Sequence, residues 1–567
     1  MNSVLFLFLR RMRAPLLVLL AAYAISVGGM VLIPGADDQG EPWQMTFFHA
    51  FYFVSYMGST IGFGEIPYEF TDAQRFWVVV TIYLSVISWL YAIGTILSII
   101  QDPAFKRAVT EQRFTLQVRR LRDPFYLIVG YGESGSLLVP ALERRQLRSV
   151  VIDNRQERID RLELENFGFD VPGLCADGRE VHFLREAGID HPYCIGVVAL
   201  TDDPDVNVKV AITAKLLKPD LTVICRAESR STEANLASFG TDYIINPYRV
   251  FADHLTMALR APSVHALYRW LINTPGRPLP ELVHPPRGTW IICGHGRFGR
   301  AVGQYLAYEN IPTVFIEPRA ERAPPDAIIG FGTEAVTLRE AGIDQAVALV
   351  AGADLDINNL SIVMTAKALK PSLHIVVRQN RRANDVVFAA TGVDQVMQAG
   401  RIIVWRILPL LTTPLLSQFL RQARHHSESW ASALLEQIQE VSPDGVPLVW
   451  SVVLDHTEAP AVCDGLRAGY AIRLQNLLQD PRETGKNLPC MPLMLVRGGE
   501  RQLLPTGEQM LQQGDQLLLC GVPKTDGLLR WSLFNRNVLR SLMTGERRPD
   551  GYIWRWLGHW RSAGAPE

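Results

Sequence analysis

Two long apolar runs commit the first hundred residues of this 567-residue chain to a membrane. Residues 14–33 and 76–100 carry no charged side chain, and ~20 such residues suffice to cross a hydrocarbon core of ~30 Å. Arg10, Arg11 and Arg13 precede the first run, and Lys106, Arg107 and Arg113 follow the second. The segment between them carries Asp37, Asp38, Glu41, Glu65, Glu69 and Asp72. Basic residues mark the cytoplasmic side, so both chain ends are expected there, with everything from Gln101 onward in the cytosol. A secretory signal would have a shorter apolar core and a small-residue cleavage site, whereas Pro34, Gly35, Ala36 and two aspartates follow here. All seven cysteines lie beyond the apolar region without a CxxC pair, which fits reduced thiols better than disulfides or a zinc site. Lys and Arg total 56 against 57 Asp and Glu, a balance that argues against a nucleic-acid partner.

A third apolar stretch, 45–58, lies between the two runs. It is rich in aromatics and too short to span, as a re-entrant helix would be. It leads into Ser59-Thr60-Ile61-Gly62-Phe63-Gly64. Glycines at alternate positions let a backbone turn all its carbonyls one way, and a ring of carbonyls can replace the water shell of a potassium ion. Thr60-Ile61-Gly62-Phe63-Gly64 resembles the TVGYG selectivity filter of potassium channels. The resemblance implies that these five residues form the filter, that the carbonyls of Thr60, Ile61, Gly62 and Phe63 with the Thr60 hydroxyl line the sites of K+, the permeant ion, and that four chains surround one axis as a homotetramer. Residues 1–100 then form a pore domain with outer helix 14–33, pore helix 45–58, filter 59–64 and inner helix 76–100. Family members often carry a hinge glycine about 20 residues past the filter. Here that count falls near Ser85, and the only glycine of the second run is Gly94, which is either a gate hinge or a small residue where helices converge.

After a polar, basic linker at 101–122 the pattern changes to alternating strands and helices. Phe125-Tyr126-Leu127-Ile128-Val129 reads as a buried parallel strand, followed by Gly130-Tyr131-Gly132-Glu133-Ser134-Gly135 and a helix. The next strand ends on Asp153. This is the dinucleotide fingerprint: glycines for a tight turn and close phosphate approach, an acid for ribose hydroxyls. The pattern recurs. Trp290-Ile291-Ile292-Cys293 leads into Gly294-His295-Gly296-Arg297-Phe298-Gly299, and the following strand ends on Glu317. Asp153 lies twenty-three residues after Gly130, as Glu317 does after Gly294. Lys218-Pro219 and Lys370-Pro371, Arg226 and Arg378, and Asp242 and Asp394 match in order further on. Two copies with collinear matches predict tandem Rossmann-type domains.

These copies resemble the regulator-of-potassium-conductance (RCK) domain, also called TrkA-N, over residues 123–407. The predicted boundaries are 123–275 for the first copy, with its crossover helix, and 288–422 for the second. The resemblance makes Gly130, Gly132, Gly135, Asp153 and Asp177, with Gly294, Gly296, Gly299 and Glu317, the nucleotide-binding residues. Asp177 falls in a family turn near the adenine. The second copy has Gly330-Phe331-Gly332-Thr333 there and lacks the acid. Acids at both strand ends favour an adenine nucleotide with a free ribose, such as NAD or ADP, over NADP. Some relatives bind Ca2+ near the positions of Glu228 and Glu233. Asp202, Asp203, Asp205 and Asn207, and Asp354, Asp356 and Asn358, either hold a divalent cation or cap the following helix.

Residues 402–416 are apolar but contain Arg406, Pro409 and Pro414, which argues against a third span and for a helix crossing to a neighbouring subunit. Residues 512–521 resemble the closing strand of the TrkA-C domain, so 423–545 reads as a small α+β lobe. In the tail, 546–567, Trp554, Trp556 and Trp560 stand among arginines, fit either to touch the membrane surface or to dock on that lobe. The expected fold class is an α-helical two-span pore joined to an α/β cytoplasmic part. With the pore included, the layout is similar to bacterial two-RCK channels of the GsuK type. It implies a multi-pass protein of the bacterial inner membrane, in contact with lipid, not an enzyme, and gated by ligands. A membrane-anchored NAD-dependent oxidoreductase would explain the fingerprints but not the filter, and a transporter's regulatory subunit would need no pore of its own.

Overall fold

The computed structural model describes residues 3–483 and 485–545, so the tail with Trp554, Trp556 and Trp560 lies outside the described residues. The chain divides into two units at Leu121/Arg122. In the first, α1 (Ser3–Leu32) and α3 (Asp72–Gln101) are long and apolar enough to cross a membrane, and α2 (Phe47–Gly58) is the short helix between them. Thr71 starts α3 with a capping box to Gln74, which fixes where the chain turns back. The buried residues Thr81, Ser85, Ser88 and Ala92 recur every three or four positions, forming a small-residue stripe along which α1 and α3 approach closely. Near the C-terminal end of α1 Gly29 permits that approach: a Cβ there would lie 2.0 Å from the Trp77 ring. The other faces of α3 expose Tyr83, Ile87 and Leu90, as a lipid-facing helix does.

The stretch expected as a polar linker is instead largely helix α4 (Pro103–Arg119), which packs on α1. Asp102 caps it through the Ala104 N–H at 2.7 Å and Pro103 occupies its first turn, two helix-start signals the sequence reading passed over.

The second unit holds two six-stranded parallel sheets. The first comprises β1 (Phe125–Val129), β2 (Arg148–Asp153), β3 (Gly173–Cys175), β4 (Cys194–Ala199), β5 (Thr222–Arg226) and β6 (Tyr243–Ile245), in the order β3-β2-β1-β4-β5-β6. The second comprises β7 (Trp290–Cys293), β8 (Thr313–Glu317), β9 (Ile328–Ile329), β10 (Ala348–Ala351), β11 (His374–Gln379) and β12 (Gln395–Gln398), in the corresponding order β9-β8-β7-β10-β11-β12. This is the doubly wound order whose switch point lies beside the first strand. The collinear matches beyond the fingerprints are structural staples. Asp242 accepts the Val223 N–H and Asp394 the Ile375 N–H, both at 2.7 Å. Lys218 donates to the Cys194 carbonyl at 2.8 Å and Lys370 to that of Ala346 at 2.7 Å.

Each sheet is followed by a broken helix pair: α6 (Pro247–Arg260) and α7 (Pro262–Ile272) after the first, α9 (Ala399–Thr412) and α10 (Pro414–Ala423) after the second; α5 (Gly135–Glu143) and α8 (Arg297–Tyr308) follow the glycine turns. The breaks are equivalent, at Ala261 (φ −144°, ψ 75°) and Thr413 (φ −147°, ψ 71°), each forced out of helix by the proline after it. The pairs are exchanged between copies. Ile403, Val404, Ile407 and Leu408 of α9 bury in the core of the first copy beside Leu138 and Tyr126. Tyr248, Ala252 and Leu255 of α6 bury in the core of the second beside Trp290 and Phe298. The apolar segment 402–416 therefore crosses to the other copy of its own chain rather than to a neighbouring subunit, because the duplication supplies that surface internally. Beyond α11 (Glu428–Val441), an antiparallel sheet of β13 (Leu448–Val453), β14 (Cys490–Arg497), β15 (Glu500–Leu503) and β16 (Gln516–Gly521) forms the terminal lobe, in the order β13-β16-β14-β15.

Candidate functional site

In the pore loop, α2 ends at Gly58 and the chain continues through N–H bonds from Thr60 to Met57 O and from Ile61 to Tyr56 O, both 3.0 Å. Positive φ then occurs at every second residue: Thr60 at 63°, Gly62 at 65° and Gly64 at 94°. Ile61 and Phe63 between them are not in that region. Alternating the hand of successive residues turns neighbouring carbonyls to the same side of the strand, the arrangement that can coordinate a dehydrated cation. Nothing crowds a Cβ at Gly62 or Gly64, so glycine is needed there for its dihedrals alone. Residues outside the motif hold the loop. Tyr56 donates its hydroxyl to Gly64 O at 2.5 Å, and the Phe63 ring lies edge-on to Tyr56 at 5.4 Å. Glu65 accepts the Phe70 N–H at 2.9 Å and a two-pronged Arg75 pair at 3.0 and 3.1 Å. The sequence reading missed Tyr56 and Arg75. Helix α3 runs unbroken through Gly94, and its discontinuity falls at Asp102, which pairs with Arg11.

Both glycine turns have fingerprint geometry. Gly130 (φ 106°) and Gly294 (φ 100°) make the turn. A Cβ on Gly135 would lie 2.2 Å from Gly130 O, and one on Gly299 would lie 1.9 Å from Gly294 O, so the third glycine is required for close packing in each copy. Both strand-end acids are buried and tie down their turns. Asp153 accepts the Tyr131 N–H at 2.7 Å and Arg158 at 2.9 Å on one oxygen, and the Arg155 N–H at 2.9 Å on the other. Among the described residues, Glu317 accepts only the His295 N–H at 2.7 Å and the Arg319 N–H at 3.3 Å. A carboxylate offers about four acceptor directions. Asp153 thus keeps one open and Glu317 two. Arg158 could have been found in sequence, since Arg322 stands at the same interval from Glu317.

Gly132 faces the Arg158 guanidinium, while Gly296 faces open space. Gly178 and Gly332 occupy equivalent places, against Val129 and Cys293 of the first strands. Asp177 and Phe331 therefore correspond. Asp177 is held by Arg179 at 2.8 Å, which pulls its carboxyl below the usual range, and Phe331 is exposed.

An ion-pair ladder joins the two copies. Arg158 bridges Asp153 to Asp202 (3.9 Å), Arg226 bridges Asp202 (2.7 Å) to Glu228, and Glu228 reaches Arg297 at the start of α8. Arg378 pairs with Asp354 at 3.0 Å and lies 5.2 Å from the centre of the Tyr248 ring, which Arg297 also approaches, at 5.7 Å. This corrects the cation-site reading. Glu228 is clamped by two guanidinium groups, and Glu233 is taken by Arg249 and, at 2.6 Å, by Asn246. No group of three or more metal-ligating side chains occurs among the described residues. Asp203 caps its helix through the Asp205 N–H at 2.9 Å, whereas Asp356 binds the loop after β11 through Asn380 and Arg381.

An ion-channel family model matches residues 16–102, and the TrkA-N domain model matches 126–247 and 290–399. Potassium channel protein 1 of Methanocaldococcus jannaschii is 26% identical over 236 residues, covering 41% of this chain and 68% of that one. Probable potassium channel protein 2 of the same organism is 28% identical over 234 residues, covering 41% and 63%. The voltage-gated potassium channel Kch of Escherichia coli is 24% identical over 232 residues, covering 40% and 53%. Among solved structures, the GsuK channel aligns over 96% of this chain and 100% of its own at 17% identity, with a TM-score of 0.46. A GsuK channel bound to NAD aligns with a TM-score of 0.45 at the same identity. With a channel model over the spans, a TrkA-N model over both parallel sheets and potassium channels among its relatives, the chain belongs to the prokaryotic two-span potassium channels that carry RCK domains.

Proposed function

We propose that four copies of the chain surround one potassium-selective pore, and that adenine nucleotides bound at the glycine turns bias its opening. The observation that carries the pore reading is the alternation of positive φ at Thr60, Gly62 and Gly64 behind a short helix that ends at the loop. The carbonyls of Thr60, Ile61, Gly62 and Phe63 would form the ion sites, with the partial negative charge of the α2 C-terminus behind them. The basic residues around the spans put both ends of the chain in the cytoplasm of a bacterial cell, with the pore in its inner membrane.

The nucleotide reading rests on the two turns and their acids. Glu317 has room for both hydroxyls of a ribose; Asp153 has room for one and takes the second only if Arg158 moves. The first copy would meet the base with Asp177 and the second with the Phe331 ring, so the two copies would prefer different ligands. A nucleotide shifts the pore only by binding its open and closed states unequally. The sites act here as sensors, not as an enzyme, and Glu228 and Glu233 serve as partners of Arg226, Arg297 and Arg249.

The test is the purified chain alone in liposomes. Flux that favours K+ over Na+ and changes when NAD or ADP is added supports the reading. Absence of cation flux in vesicles shown to contain the folded protein refutes it.

A further inference from the structure

Where the exchanged helix pairs cross, α6, α7, α9 and α10 wall a cavity of about 250 Å3. It lies apart from both glycine turns. On one wall the His254 ring stands edge-on to His265 at 5.8 Å and to Tyr268 at 5.3 Å. The Tyr268 hydroxyl is spent on Leu420 O at 2.8 Å, and Arg269 donates to Glu281 O at 3.0 Å. The side chains of His254, His265 and Arg406 have no hydrogen-bond or ion-pair partner among the described residues. Burial, with Arg406 nearby, holds His254 at about 4, and burial, with His254 and Arg269 nearby, holds His265 at about 3. Both imidazoles are therefore neutral at pH 7, each with one N–H to donate. The carboxylate lining the cavity, Asp394, is occupied by the Ile375 N–H at 2.7 Å and by His374 at 3.4 Å. Asp253 beside it is occupied by Arg424 at 2.9 Å. The site thus offers aromatic walls, two unpaired imidazoles and two guanidinium groups without a carboxylate partner, Arg269 on a backbone carbonyl and the exposed Arg406.

We propose that this cavity binds a small aromatic monocarboxylate, its ring against the His254, His265 and Tyr268 rings and its carboxylate on Arg406. The size agrees: a cavity of ~150 Å3 accepts benzene, so the volume here suits a ring with a short acid chain. The charge agrees as well, because a guanidinium recognises a carboxylate with two parallel bonds. A ligand seated here touches helices of both copies at once.

The test uses the full-length protein in detergent, titrated calorimetrically with 3-phenylpropanoate and with its uncharged amide. The acid should bind saturably, one per chain, and the amide at least tenfold more weakly. Arg406→Gln should bring the acid down to the amide's affinity and leave the amide unchanged. Ser417→Phe, which fills the cavity from its rim, should abolish binding of both. The proposal is overturned if the acid does not saturate, if Arg406→Gln leaves the preference for the acid intact, or if folded Ser417→Phe still binds it.

Discussion

Glu317→Gln separates ribose recognition from the folding of the glycine turn. The carboxylate spends one strong acceptor direction on the His295 N–H at 2.7 Å and one weak one on the Arg319 N–H at 3.3 Å. A glutamine can keep its oxygen on His295 and lose only the weaker bond, so the turn should survive at a cost below about 1 kcal/mol. The ligand loses more. Hydrogen bonds to a charged acceptor contribute about 1.5–3 kcal/mol, against about 0.5–1.5 for a neutral one. Removing the charge from two ribose bonds should therefore cost roughly 2–3 kcal/mol, or about 30- to 150-fold in affinity. Asp153→Asn should cost its own site less, about five- to tenfold, because one acceptor direction is open there. It should destabilise the fold more, since three donors converge on Asp153. The assay is calorimetric titration of ADP and NAD into the full-length variants, with thermal unfolding alongside. Unchanged nucleotide affinity in a Glu317→Gln protein of unchanged thermal midpoint would refute the ribose role of the acid.

Gly64→Val should abolish K+ selectivity or current in liposome flux while leaving nucleotide binding as it was; an intact K+/Na+ preference would mean that the loop is not the filter. Glu228→Gln leaves Arg226, 13% exposed, with Asp202 as its remaining carboxylate, and Arg297 is 49% exposed, so the cost should be ~1–3 kcal/mol rather than the ~3–5 of a fully buried pair. The thermal midpoint should fall by several degrees, and Arg297→Gln on top of it should add almost nothing; full additivity would dissolve the cross-copy pair. His265 is held below the ordinary imidazole range first by burial, then by His254 and Arg269. Its folded pKa lies below its unfolded one, so its stabilisation is complete above about pH 6.5 and is lost as pH falls toward 3, at ~1.4 kcal/mol per pH unit. Denaturant midpoints should drop between pH 6 and 4, and His265→Phe should flatten that drop; an unchanged slope would exclude His265 as its source.

What the sequence revealed and what it hid differ in range. The pore loop and both glycine turns were legible because each is a local backbone problem: a few residues need left-handed dihedrals or a missing Cβ, and glycine declares this in the sequence. The parallel sheets were legible because strands buried on both faces read as unbroken apolar runs. Partners were hidden. The apolar face of α9 says that it must be buried but not by what, and a neighbouring subunit and the chain's own first copy are equally apolar from that standpoint. Glu228 looked like a cation ligand because its counter-charge, Arg297, sits in the other copy's turn. The duplication makes both errors one error. Once a domain is repeated within a chain, surfaces that would pair between subunits pair within it, and charges that an external ion would neutralise meet arginines instead. The same exchange joins the two glycine turns physically. Each sheet's outgoing helix is core to the other copy, and the ladder from Asp153 to Arg297 ends on the second glycine turn. Under the proposed function, a nucleotide that drew Arg158 away from Asp153 would remove the first rung, and the remaining pairs of the ladder run on to the second glycine turn.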